Sequence, residues 1–180
     1  MKTKFSMIAA VDANLGIGRE GKLPWSIAPD MRHFKELTLA APPGKKNVVV
    51  MGRKTWESLP EKFRPLPGRW NAVISSQRDF GLPQEVLLSP DFRSVFSSLE
   101  KLWGDTVGEI FIIGGAAVFK EGLNDAGCER LYLTRILKDF CCDVFFPAFE
   151  PGFALTQESP PGTFCGIEYY FAEYRRRLRK

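Results

Sequence analysis

The chain has 180 residues, of which 44% are hydrophobic and 26% charged, values that exclude a disordered chain and fit a single globular domain spanning 1–180. Its 25 basic and 21 acidic residues leave a net charge of +4, too mild to argue for nucleic acid and suited to an anionic small ligand. The four cysteines (Cys128, Cys141, Cys142 and Cys165) form no CxxC pair and His33 is the single histidine, so no metal site is expected.

Phe5 to Val11 is a short apolar run closed by the turn Asp12-Ala13-Asn14, and it predicts a buried strand. Only this short strand follows Lys2 and Lys4, so the secretory leader pattern is missing and reduced thiols in the cytosol are expected. Pro29 to Leu39 predicts a helix with Pro29 at its first position, and Met31, Phe34 and Leu37 recur along it at helical spacing. Asp30 faces roughly the same way as that stripe. After the breaker Pro42-Pro43-Gly44 come a strand at Asn47 to Met51, a short helix at Arg53 to Leu59 and a proline-rich loop to Gly68. Strands follow at Trp70 to Ser75 and Glu85 to Leu88, then an amphipathic helix at Phe92 to Leu102. Glu109 to Ile113 is a strand, Ala116 to Leu123 a helix and Arg130 to Ile136 a strand; Ala154 to Gln157 and Ile167 to Arg175 form a terminal hairpin. The alternation predicts an α/β fold with a central, mostly parallel mixed sheet and an antiparallel C-terminal edge.

Gly16-Ile17-Gly18-Arg19-Glu20-Gly21 matches the dinucleotide fingerprint GxGxxG literally, but Pro24 cannot continue a first helical turn opened at Gly16. A flexible loop that closes over a ligand is the better expectation. Asp30 admits two roles: an acid favoured in a first helical turn by the macrodipole, or a polar anchor among Trp25, Met31 and Phe34. Gly114-Gly115, between a strand and a helix, either forms a plain turn or lets a ligand approach the backbone and leaves helix amides free for an anion. Met51-Gly52-Arg53-Lys54-Thr55 and Ser75-Ser76-Gln77-Arg78 end two further strands, and together the three junctions suit a phosphate-rich dinucleotide. The tail Tyr174 to Lys180, YRRRLRK, reads as a charged edge strand with a frayed end rather than a nucleic-acid patch.

Ile8-Ala9-Ala10-Val11, Gly16-Ile17-Gly18, Leu23-Pro24-Trp25, Asp30, Met51 to Thr55, Pro65 to Arg69, Ile113-Gly114-Gly115 and Leu133 to Ile136 occur in the order found in dihydrofolate reductases. No single motif is decisive, but eight in register are specific, and PEKFRPLPGR and DFCCDVFFP resemble the eukaryotic branch. The resemblance, which runs from about Phe5 to Pro147, implies a three-layer fold with helices on both faces of the sheet. It also implies hydride transfer from NADPH to C6 of 7,8-dihydrofolate and protonation at N5, supplying tetrahydrofolate to one-carbon and thymidylate metabolism. The expected partners are folates and antifolates, with neither membrane nor nucleic acid, and the expected state is a monomer.

By the same resemblance Asp30 holds the pterin N3 and 2-amino edge, Thr134 backs it, and Trp25 beside Leu23 holds a water. Ile8, Ala9, Met31, Phe34, Lys35, Ser58, Leu59, Leu66 and Ile113 line the folate pocket, and Arg69 forks onto the glutamate α-carboxylate. The cofactor uses Ala10, the loop Gly16, Ile17, Gly18, Arg19, Gly21 and Lys22, and the junction Gly52, Arg53, Lys54 and Thr55. It also uses Ser75, Ser76, Gln77 and Arg78, then Gly114, Gly115, Ala116, Ala117, Val118 and Phe119, with a cis peptide at Gly114-Gly115. Phe119 departs from the family's usual tyrosine, while Ser76 and Pro90 stand where vertebrate members carry arginines, which shifts the 2′-phosphate onto Arg53. Two rivals remain: a related pyrimidine reductase, and a nucleic-acid module using the basic tail.

Overall fold

A computed structural model describes residues 3–77 and 80–177. The chain runs β1 (Phe5–Val11), β2 (Gly16–Gly18), α1 (Ala28–Leu39), β3 (Lys46–Gly52), α2 (Arg53–Ser58), β4 (Trp70–Ile74) and β5 (Leu87–Ser89). It continues through α3 (Phe92–Trp103), β6 (Val107–Ile112), α4 (Ala116–Asn124), β7 (Cys128–Ile136), β8 (Val144–Phe145), β9 (Phe153–Glu158), β10 (Gly162–Phe164) and β11 (Ile167–Arg176). The strands order as β10-β11-β7-β1-β6-β3-β4-β5, with β9 also paired to β11. From β7 to β5 neighbouring pairs are parallel, whereas β11 is antiparallel to β7, β9 and β10. This is the mixed sheet that the alternation predicted.

Strand β3 shows how the sequence builds the layers. Val48 and Val50 enter a core shared with Val95 and Leu99 of α3 and Val118 and Phe119 of α4. Val49 and Met51, on the opposite face, pack with Trp56 of α2 and Phe34 of α1. A strand covered on both sides carries no polar alternation, which is why it reads as a β-branched run. Helix α3 starts where Asp91 accepts a hydrogen bond from the Ser94 amide (2.8 Å), replacing one of the partners a helix start lacks.

Four local expectations need correction. Helix α1 opens one residue early, at Ala28, so Pro29 occupies its second position; the missing amide costs nothing anywhere in that first turn. Met31 is 54% exposed instead of facing inward, and the buried positions of α1 are Asp30 and Thr38. The glycines read as a loop form β2, a short strand paired with β8. Finally, β11 is an interior strand, flanked by β7 on one side and by β9 and β10 on the other. The Arg176 guanidinium of the basic tail donates to the carbonyls of Cys128, Leu123 and Asp125 (2.6–2.9 Å). Leu178 to Lys180 lie outside the described residues.

His33 on α1 stacks on Phe171 of β11 (3.9 Å between centroids). Burial lowers its pKa from the usual imidazole value, against a smaller opposing effect of Glu36. A base with a depressed folded pKa contributes stability that is present above its unfolded pKa and lost as pH falls through that value. Because the chain has no other histidine, thermal scans between pH 7 and pH 5 should show Tm falling more steeply for the parent than for His33→Tyr.

Candidate functional site

The site is organised by one row of side chains across the sheet. The register sets Ala10 of β1 beside Thr134 of β7, and Thr134 beside Phe171 of β11. Residues paired across strands share a face, so all three lie beneath α1. Helix α1 is seated on that row by two residues one turn apart: His33 on Phe171 and Asp30 on Thr134. Asp30 is only 8% exposed. Burial raises the pKa of its carboxyl, and the Thr134 hydroxyl, hydrogen-bonded to it, lowers it by less. Asp30 stands in the first turn of α1 and also meets the sheet face, at Thr134.

Further along the same face come Phe34 and Thr38, spaced four residues apart. Phe34 packs with Leu59, Leu66 and Ile113 around Val49 and Met51. Thr38 is fully buried, donates to the Phe34 carbonyl (2.7 Å) and accepts from the Arg69 guanidinium (2.7 Å). Arg69 is also 8% exposed, its Nε donates to the Pro67 carbonyl, and its charged end lies 5.8 Å from the centre of the Phe34 ring. Burial lowers its pKa, and no carboxylate among the described residues forms an ion pair with it. At about 1.5 Å of rise per residue, Asp30 and Thr38 stand about 12 Å apart along the helix. An acid and an unpaired guanidinium therefore bracket an apolar strip. Ile8 is buried and Ala9 half-buried on β1, while Met31, Lys35 and Ser58 are exposed.

A second group of residues gathers where parallel strands end, the usual ligand side of such sheets. The peptide Gly114-Gly115 is cis, and the Gly114 carbonyl accepts from the Gly52 amide (2.7 Å), joining the ends of β3 and β6. A Cβ at Gly115 would come within 3.2 Å of the Thr55 hydroxyl, and one at Gly52 within 3.2 Å of Val118. The glycines thus keep backbone open between two helix starts. Helix α4 has no side-chain cap, leaving its first amides, at Ala116 and Ala117, for an outside acceptor. Val118 and Phe119 are buried, the Phe119 ring lying 4.7 Å from that of Phe146, so their side chains shape the wall from behind. Arg53 is engaged by Glu57 (2.6 Å) while Lys54 is exposed. At the end of β4 the Ser75 hydroxyl accepts from the Gln77 amide, Ser76 and Gln77 are exposed, and Arg78 lies outside the described residues. Ile74 pairs with Ser89, which brings Ser76 and Pro90, the two positions lacking arginine, to neighbouring strand ends.

Between these groups runs the β2 arm, with Gly16 buried, Ile17 and Gly18 half-buried, and Arg19, Gly21 and Lys22 exposed. The Arg19 and Lys22 backbones bond reciprocally, closing a tight tip. Beyond it Leu23 is exposed and Trp25 buried, and the Trp25 indole N–H has no partner among the described residues. A buried donor in that condition calls for an acceptor from outside the chain. Sequence reasoning missed Thr38 and Asp12. Thr38 was signalled only by standing eight residues after Asp30 on one helix face; nothing local marked Asp12 beyond its turn.

The fold defines an α/β protein with a mixed, mostly parallel sheet, and candidate site residues gather at the carboxyl ends of its parallel strands. The chain matches the family model described as dihydrofolate reductase over residues 4–176. It is 42% identical over 152 residues to a dihydrofolate reductase of Drosophila melanogaster, covering 83% of this chain and 82% of that protein. It is 43% identical over 149 residues to one of Schistosoma mansoni, covering 82% of this chain and 80% of that protein. With a bifunctional dihydrofolate reductase-thymidylate synthase of Glycine max it shares 38% identity over 188 residues, 98% of this chain and 34% of that protein. The chain belongs to the dihydrofolate reductase family. It spans about a third of the length of the bifunctional relatives it matches.

The raised pKa of Asp30 has a consequence for stability. A carboxyl that ionises less readily when folded contributes stability below its unfolded pKa and loses it as pH rises through the folded value. Asparagine suffers no such loss. Asp30→Asn is expected to raise the Tm of the ligand-free protein at pH 7 by a few degrees, the shift about 1 kcal/mol gives in a domain of this size. In thermal scans the gap to the parent should close towards pH 4.

Proposed function

We propose that the chain reduces 7,8-dihydrofolate to 5,6,7,8-tetrahydrofolate with NADPH, as a cytosolic monomeric reductase unit. The observation that carries this reading is the apolar strip on α1 with buried Asp30 at one end and unpaired Arg69 at the other. A pteroylglutamate has the matching ends: a donor edge at N3 and the 2-amino group, and a carboxylate on the glutamate.

Asp30 accepts from the pterin edge, a contact strengthened by its charge when the ring is protonated. Its burial makes that contact worth more than it would be in water. The Thr134 hydroxyl orients the carboxylate, and the Trp25 indole N–H supplies a donor for a water near it. Because Asp30 faces N3, it acts on the ring's tautomer and basicity, and the proton for N5 arrives from solvent. Phe34, Leu59, Leu66 and Ile113 hold the rings between them, and Arg69, already oriented by Thr38 and the Pro67 carbonyl, receives the α-carboxylate. Asp30 together with Arg69, matching a pterin edge plus a glutamate tail, is the feature that separates this reading from a pyrimidine reductase.

The glycine cradle at Gly52 and Gly114-Gly115, the uncapped start of α4 and the hydroxyls of Thr55 and Ser75 fit a dinucleotide phosphate chain. When bound, that dinucleotide supplies the hydride for C6. Arg53 holds the 2′-phosphate by exchanging its contact with Glu57, with Lys54 beside it. The β2 arm closes on the nicotinamide side and keeps water from the reacting atoms.

The test is NADPH oxidation followed spectrophotometrically with and without dihydrofolate. Oxidation should depend on dihydrofolate, and Asp30→Asn should cut kcat at pH 7 by about a hundredfold, the loss expected for a charge-assisted contact made to the reacting ring. Arg69→Leu should raise KM for dihydrofolate by about ten- to a hundredfold, the cost of a charged hydrogen-bonding group, with KM for NADPH unchanged. Oxidation that ignores dihydrofolate would overturn the reading.

A further inference from the structure

The proposed chemistry leaves one buried acid unused. Asp12 follows β1, is 1% exposed, and has no cationic partner in its ion pairs or hydrogen bonds among the described residues. Its Oδ1 accepts from the amides of Asn14 (2.9 Å) and Gly16 (2.7 Å), and its Oδ2 from the amide of Phe140 (3.1 Å). The Cys142 thiol also donates to it, and the Asp12 amide returns a bond to the Gly16 carbonyl (2.9 Å). One carboxylate thus joins the root of the β2 arm to a segment far along the chain. Burial alone would raise its pKa, but the amides of Phe140, Gly16 and Asn14 and the Cys142 thiol together lower it, so the fold binds the ionised form.

The arm beyond it is held at other points as well. Gly16 pairs with Phe145, the Phe146 amide donates to the Leu15 carbonyl (2.7 Å), and the Asp143 amide donates to Gly18 (3.0 Å). Leu15 (φ 64°) and Glu20 (φ 51°) take left-handed backbone at the two ends of the arm, a conformation that non-glycine residues hold only where surroundings enforce it. Asp12 is the buried anchor at the first of these hinges, and Cys142 fills the space a Cβ at Gly16 would need. The same anchor reaches the pterin side, because the Phe140 ring packs edge-on against Trp25 (5.2 Å).

We infer that Asp12, assisted by the Cys142 thiol, is a positioning residue for hydride transfer: it fixes the β2 arm and Phe140 together, so that arm closure and the Trp25 wall are set by one carboxylate. The inference rests on the proposed reductase reading.

Asp12→Asn keeps the shape but must turn an N–H₂ group, itself a donor, towards a backbone amide that also donates. In the ligand-free protein, hydrogen exchange at Gly16 and Phe140 should accelerate by about tenfold or more, the loss of a hydrogen bond to a charged group. Protection at Val49 and Leu131 in the sheet should stay at the parent level. Single-turnover hydride transfer should fall by about tenfold with KM for dihydrofolate within about twofold, the pattern of an interaction needed beyond ground-state binding. Cys142→Ser, which keeps a donor, should retain the protection and transfer rate that Cys142→Ala loses. If Asp12→Asn does not fold, the two Cys142 variants decide. Parent-like exchange and transfer in Asp12→Asn, or in Cys142→Ala should that pair decide, would overturn the inference. So would protection lost equally across the sheet, which marks a fold role alone. A parent that does not reduce dihydrofolate defeats the reductase reading instead, a result distinct from any change in arm exchange.

Discussion

The contact between Asp30 and Thr134 fixes where everything else in the site can be. Thr134 is held by register between Ala10 and Phe171, and α1 has to meet that row with Asp30 and His33. Once those two are seated, the helix axis has a direction, and Phe34 and Thr38 fall where Arg69 can reach them. Sheet register, helix placement and groove length are therefore one constraint. A slip of one residue in β7 would put Thr134 on the other face and leave a buried carboxylate without its hydroxyl.

Both charged groups of the groove are held at a disadvantage in the free protein. Burial opposes the ionised form of Asp30 and of Arg69, and Arg69 meets α1 at Thr38, eight residues beyond Asp30, instead of neutralising it. Among the described residues each has neutral partners, Thr134 in one case and Thr38 with the Pro67 carbonyl in the other. Rigid neutral partners orient a charge without quenching it. The marginal stability of a domain limits how many such groups it can carry.

Much of the fold was legible because the strands that matter most are buried on both faces. β1 and β3 appear as apolar or β-branched runs, and turn residues delimit them sharply. The glycines at the ends of β3 and β6 were legible as junctions because a strand stops and a helix starts at each. Features carried by distant pairing were not. β2 is three residues long and acquires its identity from β8, late in the chain; no local pattern encodes such a partner. The apolar spacing on α1 suggested Met31 as an inward residue, but the inward face was written in polar letters, Asp30 and Thr38, because that face meets the Thr134 hydroxyl and the Arg69 guanidinium. Asp12 was invisible for the opposite reason: its partners are main-chain amides, which every sequence has.

The placement of β11 bears on how the molecule is made. It lies inside the sheet, between β7 and the β9–β10 segment, and its Arg176 ties down carbonyls from the end of α4 to the start of β7. During synthesis β1 to β7 leave the ribosome first, and β7 then presents an open hydrogen-bonding flank until β11 follows it out of the exit tunnel. An unpaired flank of that kind recruits other strands, including those of neighbouring nascent chains. The interval between emergence of β7 and emergence of β11 is the part of this protein's life in which a chaperone has the most to shield.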